Sequence, residues 1–379
     1  MNKKEKSEKM IEKLKKLSNT IVNYSLDVKE NDRILITVNE IDKTSQLLKY
    51  LIKDITKNKA IPFVRIIDNE INSLLLETTS DNRIKEIKKH SKQDIENYDT
   101  FISIKYSTND FESSEIDETL RKKIKIATKE EDKIRINERK WVLLNYPSKL
   151  DAFKANMKTD KFIEFSLDTM IIDYSKMYKD IKPLKELMDK TKIVRIIGPN
   201  TDISFSIENI DSIPCCGKYN IPDGEIYTSP VKNSVNGIIT YNTKSPYDGY
   251  IFENVSLKFK DGKIIEATAS SNNEKLNEIF NIDEGARYIG EFAIGLNPKI
   301  KYPMQDILFD EKIIGSIHFT PGQAYNDAYN GNDSSLHWDL VLIQRKEYGG
   351  GEIYFDDKLI RKDGLFVLPE LKHLNYENN

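Results

Sequence analysis

The feature that most constrains this chain is an alternation in its first part. Short apolar runs stand apart, separated by longer amphipathic or charged stretches. The runs are Arg33-Ile-Leu-Ile-Thr-Val38, Ile61-Pro-Phe-Val-Arg-Ile-Ile67, Thr100-Phe-Ile-Ser-Ile-Lys-Tyr106 and Trp141-Val-Leu-Leu-Asn-Tyr146. Each is the length of a buried strand and rich in Ile, Val and Leu. Between and around them, apolar residues recur at helical spacing. Met10, Ile11, Leu14, Leu17, Ile21 and Val22 predict an opening helix over 8–26, and further helices are expected over 43–57 and 69–77. The charge-dense stretch 114–140 reads as a solvated helix or a loop, and two helices are expected within 160–192. Strands alternating with helices predict an α/β domain with a mostly parallel sheet.

After Lys192 the texture changes. Strand-like runs follow one another at 193–197, 203–207, 237–241, 255–259 and 263–267. Asp261-Gly262, between the last two, carries the chemistry of a tight hairpin turn. Helical spacing returns only at 272–280. A chain of 379 residues is too long for one ordinary core. The expectation is therefore an α/β domain over 1–191, then a β-rich α+β domain over 192–379.

Charge excludes some partners. Lys and Arg number 58 against 61 Asp and Glu, a net charge of −3, so no basic field attracts nucleic acid. Neither G-x-G-x-x-G nor G-x-x-x-x-G-K-[ST] occurs, so the α/β domain lacks the usual nucleotide fingerprints. Met1 to Lys16 is charged and has no apolar core of the kind a signal peptide needs. No apolar run approaches the length that spans a bilayer. Cys215 and Cys216, the only cysteines, are adjacent and lack zinc-knuckle spacing. A cytoplasmic protein with two free thiols is expected.

The chemistry is concentrated late in the chain. There are four histidines, and His318 and His337 fall close together, with Asp339 two residues beyond His337. In Leu336-His-Trp-Asp-Leu-Val-Leu-Ile343, read as a strand, alternation puts His337, Asp339, Val341 and Ile343 on one face. Asp339 there needs a cationic or hydrogen-bonding partner, supplied by a metal or by a plain His–Asp contact. Glu291 sits inside Tyr288-Ile-Gly-Glu-Phe-Ala-Ile-Gly-Leu296, where it needs a cation or a buried partner such as Arg287 or Lys301. Glu225 opens a strand after the turn Pro222-Asp223-Gly224, an unremarkable place for a polar residue. Glu311 reads equally as an exposed turn residue, and Tyr325 as a core or loop aromatic. As a set, the carboxylates and two imidazoles suit zinc, manganese, cobalt or iron, and resemble a two-metal hydrolase site.

Several blocks of the sequence resemble the metallo-aminopeptidases typified by aminopeptidase T and aminopeptidase S. They are Ile221-Pro-Asp-Gly-Glu-Ile-Tyr-Thr-Ser-Pro230 with Ser234-Val-Asn-Gly237, and Ile289-Gly-Glu-Phe-Ala-Ile-Gly-Leu-Asn297. Leu308-Phe-Asp-Glu-Lys-Ile-Ile-Gly-Ser-Ile-His318, Gly322-Gln-Ala-Tyr325 and His337-Trp-Asp339 complete the set. The amino-terminal half resembles the family more loosely, through its α/β pattern and Arg139-Lys-Trp141. The resemblance implies metal ligands at Glu225, Glu291, Glu311, His318, His337 and Asp339, with Tyr325 as the active-site tyrosine. It also implies two divalent ions per chain (zinc, cobalt, manganese or magnesium), a homodimer, and short peptide substrates with a free N-terminus. Thr320-Pro321 and the segment 325–332 depart from the family pattern. Glu291, Glu311 and Tyr325 are expected to act in catalysis, with Glu291 bridging the ions and Glu311 as a ligand or just behind one. Two other readings compete: a mononuclear iron ring-cleaving dioxygenase using His318, His337 and Asp339, and a non-catalytic binding protein on the same scaffold.

Overall fold

The apolar runs of the first part line up side by side in a five-stranded sheet. The structure is a computed structural model, and residues 3–375 are described. Met1 and Asn2 of the amino-terminal stretch, and the last four residues of the expected second domain, lie outside the described residues. The sheet runs in the order Ile61–Ile67, Arg33–Asn39, Thr100–Lys105, Lys140–Asn145, Asn220–Ile221, and every pairing is parallel. Parallel neighbours need crossovers, and these supply the helices. Lys3–Asn19 opens the chain, and Ile41–Lys57, Asn69–Glu77, Asp81–Asn97 and Glu118–Glu138 follow between strands. The charge-dense stretch is thus a helix, and the Asp117 side chain caps it by accepting the Leu120 N–H. Ile34, Ile36, Val38, Ile102, Ile104 and Leu144 are buried, as the near-continuous apolar runs require. These elements form one compact unit, Met1–Ile172 with Gly217–Pro222.

The second unit comprises Asp173–Cys216 and Asp223–Asn379. It contains an eight-stranded and a five-stranded sheet, and all pairings in both are antiparallel. Asp261 (φ 49°) and Gly262 (φ 85°) form the expected tight turn between Ser256–Lys260 and Lys263–Thr268. The five-stranded sheet has the order Val341–Ile343, Ser316–Pro321, Ile289–Gly295, Glu225–Thr228, Ile213–Cys215. Its Phe292 and Phe319 meet Phe205 of the larger sheet at ring-centroid distances of 5.0 and 4.9 Å. That aromatic layer fills the space between the sheets and leaves the other face of the smaller sheet for polar work.

The expected strand over 336–343 is shorter than its alternation suggests. Only Val341–Ile343 pairs as a strand, and a single bridge joins His337 to Gly322. Burial still alternates along the segment, with Leu336, Trp338 and Leu340 buried and His337 and Asp339 partly open. Extended backbone without a ladder keeps the period of two, and the periodicity reports that rather than pairing. The strand Asn220–Ile221 and the helix Lys149–Lys154 were not anticipated, because each is too short for a periodic signal. Among the described residues, no helix is long and apolar enough to cross a membrane.

Candidate metal centre

Three adjacent strands bring the candidate residues to one face. In the antiparallel register Glu225 lies opposite Gly295, His318 opposite Ala293, and Glu291 opposite Thr320. Side chains alternate along a strand, so Glu225, Glu291, His318 and Thr320 share a face with Ala293 and Gly295. The two small residues leave open the space the longer polar chains occupy. Gly295 has a second constraint. A Cβ there would stand 2.3 Å from the Ile313 carbonyl oxygen and 2.7 Å from Ser316 Oγ, so only glycine lets the 312–316 backbone cross this strand.

Glu291 is the centre of the arrangement and is buried to 3% exposure. Its Oε1 is 3.0 Å from His318 Nε2, and its Oε2 is 3.5 Å from His337 Nε2. Asp339 Oδ1 stands 3.3 Å from the same His337 nitrogen. The far nitrogens are tied down: His318 Nδ1 donates to the Glu311 carbonyl at 3.1 Å, and His337 Nδ1 to the Gln323 carbonyl at 2.8 Å. A carbonyl only accepts, so each Nδ1 carries the proton and each Nε2 turns a lone pair towards Glu291. Lone pairs aimed at a carboxylate repel it unless a cation stands among them. With protein groups alone, that cation is a proton. Burial opposes a charge on His337, but Asp339 and Glu291 outweigh it and raise its pKa to about 10. His318 is likewise raised, through its hydrogen bond to Glu291, against burial. For Asp339, His337 outweighs burial and holds the carboxyl well below the usual range. Thr320 Oγ1 also donates to Asp339 at 2.7 Å.

Glu225 closes another side. Burial pushes its carboxyl up to about 7, against the pull of Lys312 and His318. Its Oε2 is buried without a hydrogen-bond partner and stands 3.7 Å from His318 Nε2. A divalent cation suits these features. Glu291, His337 and Asp339 each offer a donor atom, all within 4.8 Å of one another, and the orphaned Glu225 oxygen lies next to His318. Imidazoles oriented by backbone carbonyls are the usual setting of metal-binding histidines. The alternatives of Arg287 or Lys301 as partners of Glu291 are not realised. Arg287 binds Asn281 and the Ile264 carbonyl, and no ion pair links Lys301 to Glu291 among the described residues.

Two expected residues sit differently from the rest. Glu311 is not exposed; it follows the short helix Ile307–Asp310, and its carboxylate pairs with Lys312 rather than with either imidazole among the described residues. Tyr325 leaves 47% of its surface open and packs its ring 4.8 Å from that of His337 and 5.5 Å from that of Tyr227. Burial of its hydroxyl, then the charges of Glu291 and Asp339, raise its pKa well above the ordinary tyrosine value. The sequence reading missed Lys312, Thr320 and Gln323. Lys312 is fully buried, and its Nζ lies 3.8 Å from Glu225 Oε1 as well as against Glu311. Cys215, expected as a plain free thiol, lies with Asp223 and Glu225 in a second donor group.

A carboxylate held between two backbone-anchored imidazoles on an antiparallel sheet has the donor chemistry of histidine–carboxylate metal sites. The chain belongs to the thermophilic metalloprotease (M29) family, whose model matches residues 10–358. It is 30% identical to aminopeptidase 2 of Geobacillus stearothermophilus over 166 residues, 38% of this chain and 37% of that one. It is 33% identical to aminopeptidase T of Thermus aquaticus over 139 residues, 32% of this chain and 34% of that one. The matched stretches thus span about a third of these relatives' length. Wild-type AmpT from Thermus thermophilus shares the fold, with a TM-score of 0.78 at 17% identity over 94% of this chain and 99% of that one.

Proposed function

We propose that the chain is a metal-dependent aminopeptidase that removes the first residue from short peptides. Glu291, His318, His337 and Asp339, with Glu225 beside them, would hold the metal. One observation carries the reading: both imidazoles are locked with Nε2 turned onto the two oxygens of buried Glu291. A divalent ion held by these residues would supply Lewis-acid polarisation of the scissile carbonyl and a water acidic enough to attack near neutral pH. The protein's own groups do the rest. The Glu311 and Gln323 carbonyls fix the rings, and Thr320 fixes Asp339. Tyr325, protonated and next to His337, donates a hydrogen bond to the developing oxyanion. A short peptide offers little binding beyond its first residue, so that residue should dominate selectivity.

The native ion would be zinc, cobalt, manganese or magnesium, the assembly a homodimer and the compartment the cytoplasm. The dimer rests on the family resemblance. The same resemblance implies two ions per chain. A mononuclear iron dioxygenase draws no support from the relatives, which are named as aminopeptidases. The test is exhaustive chelation, with metal loss verified by elemental analysis, followed by assay on a leucyl dipeptide. Activity should vanish and return with zinc, cobalt or manganese. Full activity in verified metal-free protein would end this reading.

A further inference from the structure

We infer that a cavity within the first unit is a binding site for a free α-amino acid with an apolar side chain. Its volume is about 350 Å³, within the range that holds small ligands. All its lining residues belong to that unit and none to the metal centre, so the inference does not rest on the metal-hydrolase reading. The floor is one face of the parallel sheet, and the walls come from the helices Asp81–Asn97 and Glu118–Glu138. On the floor Thr37 stands in register with Arg65 on one side and Ser103 on the other. The sheet branches at this point. From Arg33–Asn39 the chain adds Ile61–Ile67 at one side, then Thr100–Lys105 at the other. Ligands of open α/β sheets collect at such switch points, towards the carboxyl ends of the strands, and Lys105 closes its strand there.

Charge selects the ligand. Arg65, Lys105 and Arg135 line the cavity against Asp94, Glu131 and Asp132, so the lining carries no net charge. Four of these groups satisfy one another. Arg65 donates two 2.7 Å hydrogen bonds to Asp94, and Arg135 lies 3.1 Å from Asp132. Glu131 and Lys105 are left over, and neither forms an ion pair among the described residues, with the other or elsewhere. Glu131 is only 6% exposed, and its Oε2 is buried with no hydrogen-bond partner. A buried carboxylate oxygen without a donor is costly, and a ligand ammonium supplies the donor. Lys105 is exposed and offers the opposite charge. A zwitterion satisfies both at once, its ammonium donating to Glu131 and its carboxylate accepting from Lys105. A phosphate or another net anion would meet like charge at Glu131. Phe101, Trp141 and Leu143, on the floor, give the ligand's side chain an apolar surface.

The experiment is isothermal titration of the full chain with L-leucine. Wild type should bind it. Glu131→Gln keeps the shape and removes the charge, and should bind about tenfold more weakly or worse, the scale of one lost charged hydrogen bond. Lys105→Met should weaken binding at the carboxylate end by a similar factor. 4-Methylpentanoate, which is leucine without its amine, should bind wild type as poorly as leucine binds Glu131→Gln. No binding of leucine by wild type would overturn the inference. So would undiminished binding by Glu131→Gln with a native circular-dichroism spectrum, the result expected if leucine sits at the metal centre instead. If Glu131→Gln does not fold, Lys105→Met decides, because its exposed position spares the fold, and an unchanged affinity there overturns the inference. Each of these failures leaves the metal-hydrolase reading intact.

Discussion

Two seven-residue strands receive opposite treatment in this fold. Ile61–Ile67, Ile-Pro-Phe-Val-Arg-Ile-Ile, is rich in large apolar residues, yet Ile61, Phe63, Val64 and Ile66 are 42–57% exposed. Ile289–Gly295, Ile-Gly-Glu-Phe-Ala-Ile-Gly, carries a carboxylate and two glycines and is buried at every position. The difference lies in position within the sheet. The first strand is an edge with one parallel neighbour, and the second lies between two antiparallel ones with an aromatic layer beneath it. Hydropathy makes both of them strands, and topology decides which is covered. The informative residue is then the buried polar one, Glu291, because its burial costs energy that a function must justify.

The largest expected effect breaks the comparison at its centre. Glu291→Gln keeps size and shape but removes the charge between the imidazoles. Peptidase activity and bound metal should fall by more than the roughly 10–100-fold seen on removing groups that only support a metal ligand. The circular-dichroism spectrum should be unchanged. A variant that unfolds, while its folded fraction stays active, would make Glu291 a structural residue instead. Next, Tyr325→Phe should lower kcat by about 10²–10³-fold with zinc content unaltered, the scale of one lost oxyanion donor. A drop in zinc content would move Tyr325 from catalysis to support of His337.

Stability sharpens the contrast between the strands. Ile294→Ala, in the buried strand, should cost about 2–5 kcal/mol in denaturant unfolding. In the same strand Gly295→Ala should cost about 1–3 kcal/mol through overpacking against Ile313. Ile66→Ala, on a residue 57% exposed, should stay within about 0.5 kcal/mol. A larger loss at Ile66 that depends on protein concentration would mean that a second copy of the chain covers this edge.

The sequence was legible where local pattern carries the information. The α/β alternation, the Asp261-Gly262 turn and the change of texture after Lys192 are local, and so is the polar Glu291 within an apolar run. His337 and Asp339 could be read as facing together because a period of two survives in extended backbone, even where the ladder stops. What stayed hidden depends on contacts between distant positions. Glu291 meets His318 across a strand pair, and nothing in the intervening residues states the register. Glu311-Lys312 looks like an exposed charged turn. Lys312 is fully buried where the backbone beyond it crosses Gly295, a neighbour 17 positions earlier. Thr320 and Gln323 serve through a hydroxyl and a backbone carbonyl, which no residue-type pattern marks.

The central claim is that the cluster around Glu291 cleaves peptides from a free amino terminus. Its most direct test is a time course with the zinc-restored enzyme on a leucyl dipeptide and on the same dipeptide N-acetylated. The account predicts turnover of the first and none of the second. Equal rates on both would contradict the aminopeptidase assignment while leaving a metal-dependent hydrolase in place.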